Sequence, residues 1–272
     1  MDVRDANILV HSTLASCYNE REPHFRPENR AKVRSVLESL RAAHGPRLLD
    51  VGCGTGFVID LAADLFDEIH GVDITPAMMA RIDASRAHVH LHEADAAAMP
   101  FEADRFDVVS AYAFFHHLQD LEPVLREIHR VLRPGGGLYA DLEPNRHFWA
   151  AISSVRGLVG PGTSTLVTDE IGSVCHTDDR VADEFGIPQD VFNLAEYNKS
   201  ITGGIDPDEF TDLARRAGFA SVTATYQWYA GQGKILHGVS AEVAEAVDRY
   251  LREALPLSRG LFKYLRFVAV NG

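Results

Sequence analysis

Leu48-Leu49-Asp50-Val51-Gly52-Cys53-Gly54-Thr55-Gly56-Phe57 reads as a buried strand, Arg47 to Val51, that breaks into a glycine-rich turn and enters a helix through Phe57, Val58, Ile59 and Leu61. Glycine lets the backbone take positive φ and lets a ligand approach where a Cβ would collide. The start of the helix offers free N–H groups to an anionic or carboxylate group. The spacing separates one ligand class from another. A dinucleotide turn needs G-x-G-x-x-G, whereas here Gly56 comes one residue early and Phe57 fills the place a pyrophosphate requires.

Support for a nucleoside site comes downstream. Ile69-His70-Gly71-Val72-Asp73 reads as a second strand ending in a carboxylate, about 20 residues past the first glycines, where a ribose-binding acid stands. Such a carboxylate accepts charge-assisted hydrogen bonds from both ribose hydroxyls. Val89 to Glu93 reads as a third strand, followed by Ala94-Asp95-Ala96 and Met99-Pro100-Phe101. Phe106 to Ala111 is a fourth, nearly all apolar as buried parallel strands are. Leu121, Val124, Leu125, Ile128, Val131 and Leu132 form a helical stripe. Arg133-Pro134-Gly135-Gly136-Gly137 stops that helix and feeds a fifth strand, Leu138 to Asp141.

The order D-V-G-C-G-T-G, G-V-D, A-D-A-x-x-M-P-F, F-D-V-V and L-R-P-G-G resembles the class I S-adenosylmethionine-dependent methyltransferases, and within them the branch of the ubiquinone/menaquinone-biosynthesis enzymes and many small-molecule methyltransferases. The match runs from about Arg47 to Asp141. The resemblance implies an α/β, Rossmann-like, seven-stranded mixed sheet with its last strand antiparallel, helices on both faces and helical lid insertions. It implies S-adenosylmethionine as cofactor and S-adenosylhomocysteine as product. Gly52, Cys53, Gly54 and Gly56 would form the cofactor turn, Cys53 acting through its backbone. Asp50 would hold the methionine ammonium, Asp73 the ribose, Met78 the adenine side, and Asp95 with the Ala96 N–H the adenine edge; Ile74 and Ala111, which ends the fourth strand, would also bind the cofactor. Thr75 stands at an N-cap and Pro76 in the first turn of the following helix. Tyr18 either lies over the sulfonium, where an aromatic ring is attractive to a cation, or packs against the head helix.

Composition narrows the partners. The 272 residues carry 39 acidic and 26 basic side chains, a net charge of −13. With no basic run, this argues against a nucleic-acid substrate and, more weakly, against an anionic membrane surface. No apolar run approaches a membrane span and no signal-like segment opens the chain, so a cytosolic (cytoplasmic) enzyme is expected. The three cysteines, Cys17, Cys53 and Cys175, form no C-x-x-C pair. His88, His90 and His92 alternate on one strand face; no carboxylate or cysteine cluster completes a metal set, and no metal is expected.

We expect a single methyltransferase domain: a helical head at 1–46, a cofactor-binding core at 47–145, and lid insertions at 146–205 and 230–260. Pro27 to Ala43 is an amphipathic helix through Val33, Val36, Leu37 and Leu40. Asp206-Pro207-Asp208-Glu209 opens a helix ending at Gly218; Ser221 to Tyr229 is the sixth strand, Ala241 to Ala254 a helix, and Leu261 to Val270 the seventh strand. The insertions should cover an acceptor pocket, with His147, Trp149, Tyr197, Lys199, Gln227 and Trp228 as lining residues to test; Cys175-His176 falls in the first of them.

Tyr112-Ala113-Phe114-Phe115-His116-His117-Leu118 stands where methyl and acceptor should meet. Methyl transfer is an in-line displacement whose barrier falls steeply with correct positioning, and a base is needed only when the acceptor must lose a proton. His116 and Tyr112 are expected to face the acceptor, and His117 to serve structure or cofactor, though it too is a possible base. A lid favours a small organic acceptor methylated at oxygen, nitrogen or carbon. Methylation of a protein or peptide, and a non-catalytic S-adenosylmethionine-binding partner domain, are the alternatives.

Overall fold

The computed structural model describes residues 1–83, 85–155 and 165–272, with the side chains of 155, 165–167 and 173–179 outside the description; Cys175 and His176 fall among these. Seven strands form one sheet in the order β3-β2-β1-β4-β5-β7-β6. They are β1 (Arg47–Val51), β2 (Glu68–Asp73), β3 (Val89–Glu93), β4 (Phe106–Tyr112), β5 (Leu132–Pro144), β6 (Phe219–Tyr229) and β7 (Phe262–Asn271). The first five pair in parallel, and β7 runs antiparallel to both β5 and β6. The mixed sheet with one reversed strand is the architecture the sequence implied.

β1 and β4 are apolar almost throughout because both faces of the sheet are covered. On one face the helix Glu122–Val131 buries Val124, Leu125, Ile128 and Val131, and the helix Pro207–Ala217 buries Phe210 and Ala214. Each of the larger side chains contributes about 2 kcal/mol by leaving water. On the other face the helix Pro27–His44 buries Val33, Leu37 and Leu40 against Leu48, Val108 and Tyr139. The Asp206 carboxylate caps the helix Pro207–Ala217 by accepting from the N–H groups of Asp208 and Glu209. Asp107, at the start of β4, ties three strands together: it accepts from Arg47 in β1 through backbone and guanidinium, and from Arg133 in β5.

Two local expectations shift. β5 begins at Leu132, so the glycine run lies inside the strand; its pairing with β4 is irregular there, moving from Phe106↔Leu132 to Val108↔Gly137. Thr75 occupies the N-cap position of the short helix Pro76–Met79 without a side-chain capping bond. The Asp73 carboxylate accepts from the Thr75 N–H instead.

Within the expected helical head, the helix Val3–Leu14 precedes the amphipathic helix that the sequence delimited. Its Ala6, Val10 and Leu14 stripe packs with Ala182, Ile187, Phe192 and Ala195 in a small cluster separate from the two that flank the sheet. Head and first insertion thus share a core.

Candidate functional site

β1 and β4 are neighbours although their order in the chain is not consecutive, and this is the crevice where open α/β sheets bind ligands. A cavity of about 400 Å³ opens there, at the C-terminal ends of β1 to β4. Tyr18, Asp50, Gly52, Cys53, Gly54, Asp73, Ile74, Met78, Asp95, Ala96, Tyr112 and His117 all line it. Gly56, Ala111 and His116 do not.

The glycine turn shapes the floor. Gly52 has φ +67°, and a Cβ there would lie 2.2 Å from Phe114 Cδ2. Gly56 has φ +88° and is the left-handed residue from which the helix Phe57–Ala62 starts; it sets the turn without touching the cavity. Asp73 braces the turn, accepting from the Gly54 N–H at 2.8 Å and from the Thr75 N–H at 2.8 Å. A carboxylate has about four lone-pair positions, so both oxygens can still accept from a ligand hydroxyl. Asp95 accepts from the Ala97 N–H and is exposed.

Asp50 is the electrostatic anomaly. It is 2% exposed and accepts from the Ser110 hydroxyl at 2.7 Å. Burial pushes its carboxyl up to about 7; Ser110 works against that rise and the Asp73 charge adds to it. A buried carboxylate at a cavity wall, with no cation beside it among its described bonds, can pair with a positively charged group that enters the cavity.

The opposite wall is aromatic. Tyr112 packs on Phe57 at 4.8 Å and His24 on Phe57 at 4.9 Å, with Phe25 and Tyr18 beside them. The Tyr112 hydroxyl accepts from Asn29 Nδ2. Burial alone lowers His24 to about 3, so it is a neutral ring at working pH. Asp2, Val3, Arg4, Asn7 and His11 complete the wall from the N-terminal helix and its cap, and Asn7 Nδ2 donates to the His117 carbonyl.

The segment after β4 is held from behind. Glu143, fully buried at the end of β5, accepts from the backbone N–H groups of Phe114, Phe115 and His116 and from His116 Nδ1. His116 therefore faces Glu143 and not the cavity. Burial works to lower its pKa, but the Glu143 charge and hydrogen bond, with Glu196, hold it above the usual histidine value. His117 faces the cavity; burial and the neighbouring His116 drive it well below the usual value, so it is neutral. Of the two adjacent histidines, the one set back is cationic in tendency and the one at the cavity is a free base.

His147, Trp149, Tyr197, Lys199, Gln227 and Trp228 do not line the cavity. Gln227 is buried, accepting from Lys32 and donating to Thr225, and the Trp228 ring lies under Lys32 Nζ at 4.9 Å. The first insertion reaches the site through other residues: Ala195 O accepts from His117 Nδ1 at 2.7 Å, and Asn198 Nδ2 donates to Leu118 O. Glu143, Asn7, His11 and Glu196 gave no sequence signal beyond their types, since each acts across a long stretch of chain.

The histidines of β3 lie on the sheet edge. His92 Nε2 and His70 Nδ1 are 2.9 Å apart, the His90 ring is 4.9 Å from that of His70, and His88 bonds the Ala63 carbonyl.

Residues 49–140 match the family model described as a methyltransferase domain. A malonyl-[acyl-carrier protein] O-methyltransferase from Enterobacter lignolyticus is 30% identical over 148 residues, which is 51% of this chain and 59% of that protein. A demethylmenaquinone methyltransferase from Chlorobaculum parvum is 38% identical over 117 residues, 42% of this chain and 46% of the relative. The chain spans about half the length of the curated relatives it matches. Among solved structures, a Haemonchus contortus phosphoethanolamine N-methyltransferase 2 superposes with a TM-score of 0.58 at 18% identity, covering 100% of this chain and 60% of that one. That likeness extends the shared fold beyond the matched domain. No helix among the described residues is long and apolar enough to cross a membrane.

Proposed function

We propose that the chain, whose residues 49–140 match the methyltransferase-domain family, is a class I S-adenosylmethionine-dependent methyltransferase that transfers a methyl group to a small organic acceptor. The observation that carries this is the convergence of Asp50, Asp73 and Asp95, from the ends of β1, β2 and β3, on one cavity with the glycine turn at its floor. The donor set fits the cofactor. Asp50 meets the methionine ammonium, which would draw it into its ionised form. Asp73 accepts from the ribose hydroxyls while it braces Gly54. Asp95 and the Ala96 N–H face the adenine edge, with Met78 and Ile74 against the ring.

S-adenosylmethionine supplies a methyl carbon made electrophilic by its sulfonium. The protein's part is to set the acceptor in line and exclude water. The aromatic wall of Tyr18, His24, Phe25, Phe57 and Tyr112 favours a flat or apolar acceptor. Neutral His117 stands where a proton can be taken if the acceptor carries one. We read the N-terminal helix, packed on the segment around Ala182–Ala195, as the cover over this cavity, and the chain as an intracellular enzyme without a nucleic-acid or membrane partner.

Methyl-labelled S-adenosylmethionine incubated with the protein and a fractionated extract of its native cell tests the reading. Label in the small-molecule fraction supports it, and label in protein or nucleic acid overturns it. Asp73→Ala should weaken cofactor binding on the order of a hundredfold and abolish label transfer at working cofactor concentration.

A further inference from the structure

We propose that His11, His117 and Glu196 form a binding site for one divalent transition-metal ion at the wall of the cavity. The three come from the N-terminal helix, the turn after β4 and the first insertion. One ligand atom from each lies within 4.8 Å of the others, all three side chains are half-buried, and no other histidine, cysteine, aspartate and glutamate grouping of this kind occurs among the described residues. Two imidazoles and a carboxylate are the donors that zinc, cobalt, nickel and ferrous iron share, and three protein ligands leave coordination positions open.

The surroundings prepare both rings. His11 Nδ1 is 2.9 Å from the Asn7 carbonyl and His117 Nδ1 is 2.7 Å from the Ala195 carbonyl. A carbonyl only accepts, so each Nδ1 carries the proton and each Nε2 keeps its lone pair. A backbone acceptor on the far nitrogen is the usual means by which a ligating histidine is oriented. The rings meet edge to face with centroids 4.8 Å apart. Glu196 is shared: Oε2 accepts from Lys199 at 3.2 Å and lies 3.7 Å from His116 Nε2, while Oε1 lies on the His117 side at 3.7 Å from Nδ1. An ion adding to Oε1 leaves the Lys199 contact in place.

His11 and His117 both line the cavity, so the open positions face it. An ion there would take an oxygen or nitrogen of the acceptor and lower its pKa. That use rests on the methyl-transfer reading above; binding of the ion does not.

The test is titration of the purified, chelator-treated full-length protein with Co2+ alone, read by visible absorption and by equilibrium dialysis. One ion per chain with ligand-field bands is expected. His11→Gln and His117→Gln should each weaken binding on the order of a hundredfold, whereas His92→Gln, on the sheet edge, should bind as the unaltered protein does. Circular dichroism establishes that each variant is folded, and Glu196→Gln serves as the third ligand variant. The absence of stoichiometric binding overturns the proposal. So does binding that survives in both cavity variants, or that is lost in His92→Gln. S-adenosylmethionine binding, measured by calorimetry without metal, reports separately on the cofactor site, so failure of the ion site and failure of the methyl-transfer reading are distinguishable.

Discussion

Glu143 and His116 are bonded twice: Oε2 accepts from the imidazole Nδ1 at 2.9 Å and from the backbone N–H of the same residue at 3.0 Å. With Oε1 accepting from Phe114 and Phe115, one carboxylate fixes the whole turn between β4 and the cavity. Glu143→Gln presents an amide NH2 to some of these donors and leaves them unpaired in a fully buried position. The expected loss is roughly 2–4 kcal/mol in urea unfolding, with the slope unchanged. His116→Gln, which removes one of the four bonds, should cost about 1 kcal/mol. Equal costs would show that Glu143 is not the hub.

Cofactor affinity should follow the ionisation of Asp50. Its carboxyl stands at about 7 in the free protein because burial disfavours the charge. The ammonium favours the ionised form, so binding releases a proton and affinity rises with pH until Asp50 is ionised. The α-amino group of the ligand loses its own proton above about 8, and affinity falls again. Calorimetry across this range should give a narrow optimum between the two values. Asp50→Asn should flatten its acidic limb and leave the alkaline one.

Gly52→Ala tests the floor of the cavity. The new methyl would sit 2.2 Å from Phe114 Cδ2 on a backbone at φ +67°. Strain at that φ costs about 1 kcal/mol, and Phe114 must also move, carrying with it the turn that presents His117. A folded protein with cofactor binding weakened on the order of a hundredfold is the expected result. Normal calorimetric binding would place the cofactor elsewhere.

Asp107 should govern acid stability. Burial works to raise its carboxyl, but hydrogen bonds from Arg47 and Arg133, side chain and backbone together, hold it at about 2. An aspartate depressed in the folded state contributes stability that is complete above the unfolded value, about 4, and is lost as pH falls through about 2. The contribution is about 2 kcal/mol. Urea midpoints for the unaltered protein should fall across this window, and those for Asp107→Asn should begin lower and vary less.

The sheet was legible from β1 to β5 because buried parallel strands are written as apolar runs closed by turn residues, and Asp50, Asp73 and Asp95 stand at their ends. β7 could be read as reversed only through resemblance. The head was read as helical, but its first helix was not delimited although Ala6, Val10 and Leu14 fall at helical spacing, since a short apolar stripe has no meaning until its partners, Ile187 and Phe192, are known. His116 was expected to face the acceptor and His117 to serve structure or cofactor, whereas His117 lines the cavity and His116 turns to Glu143. Their roles depend on Glu143 and Ala195, which reach them only through the fold.

The shared core of Val3–Leu14 and the segment around Ala182–Ala195 has a dynamic consequence. Because that cluster is distinct from the two flanking the sheet, it can open as one cooperative unit while the strands stay paired. A ligand sealed beneath it would then be released at the frequency of that opening. Amide exchange should report the same opening free energy for both segments, well below that of β1 and β4, and cofactor should slow both together.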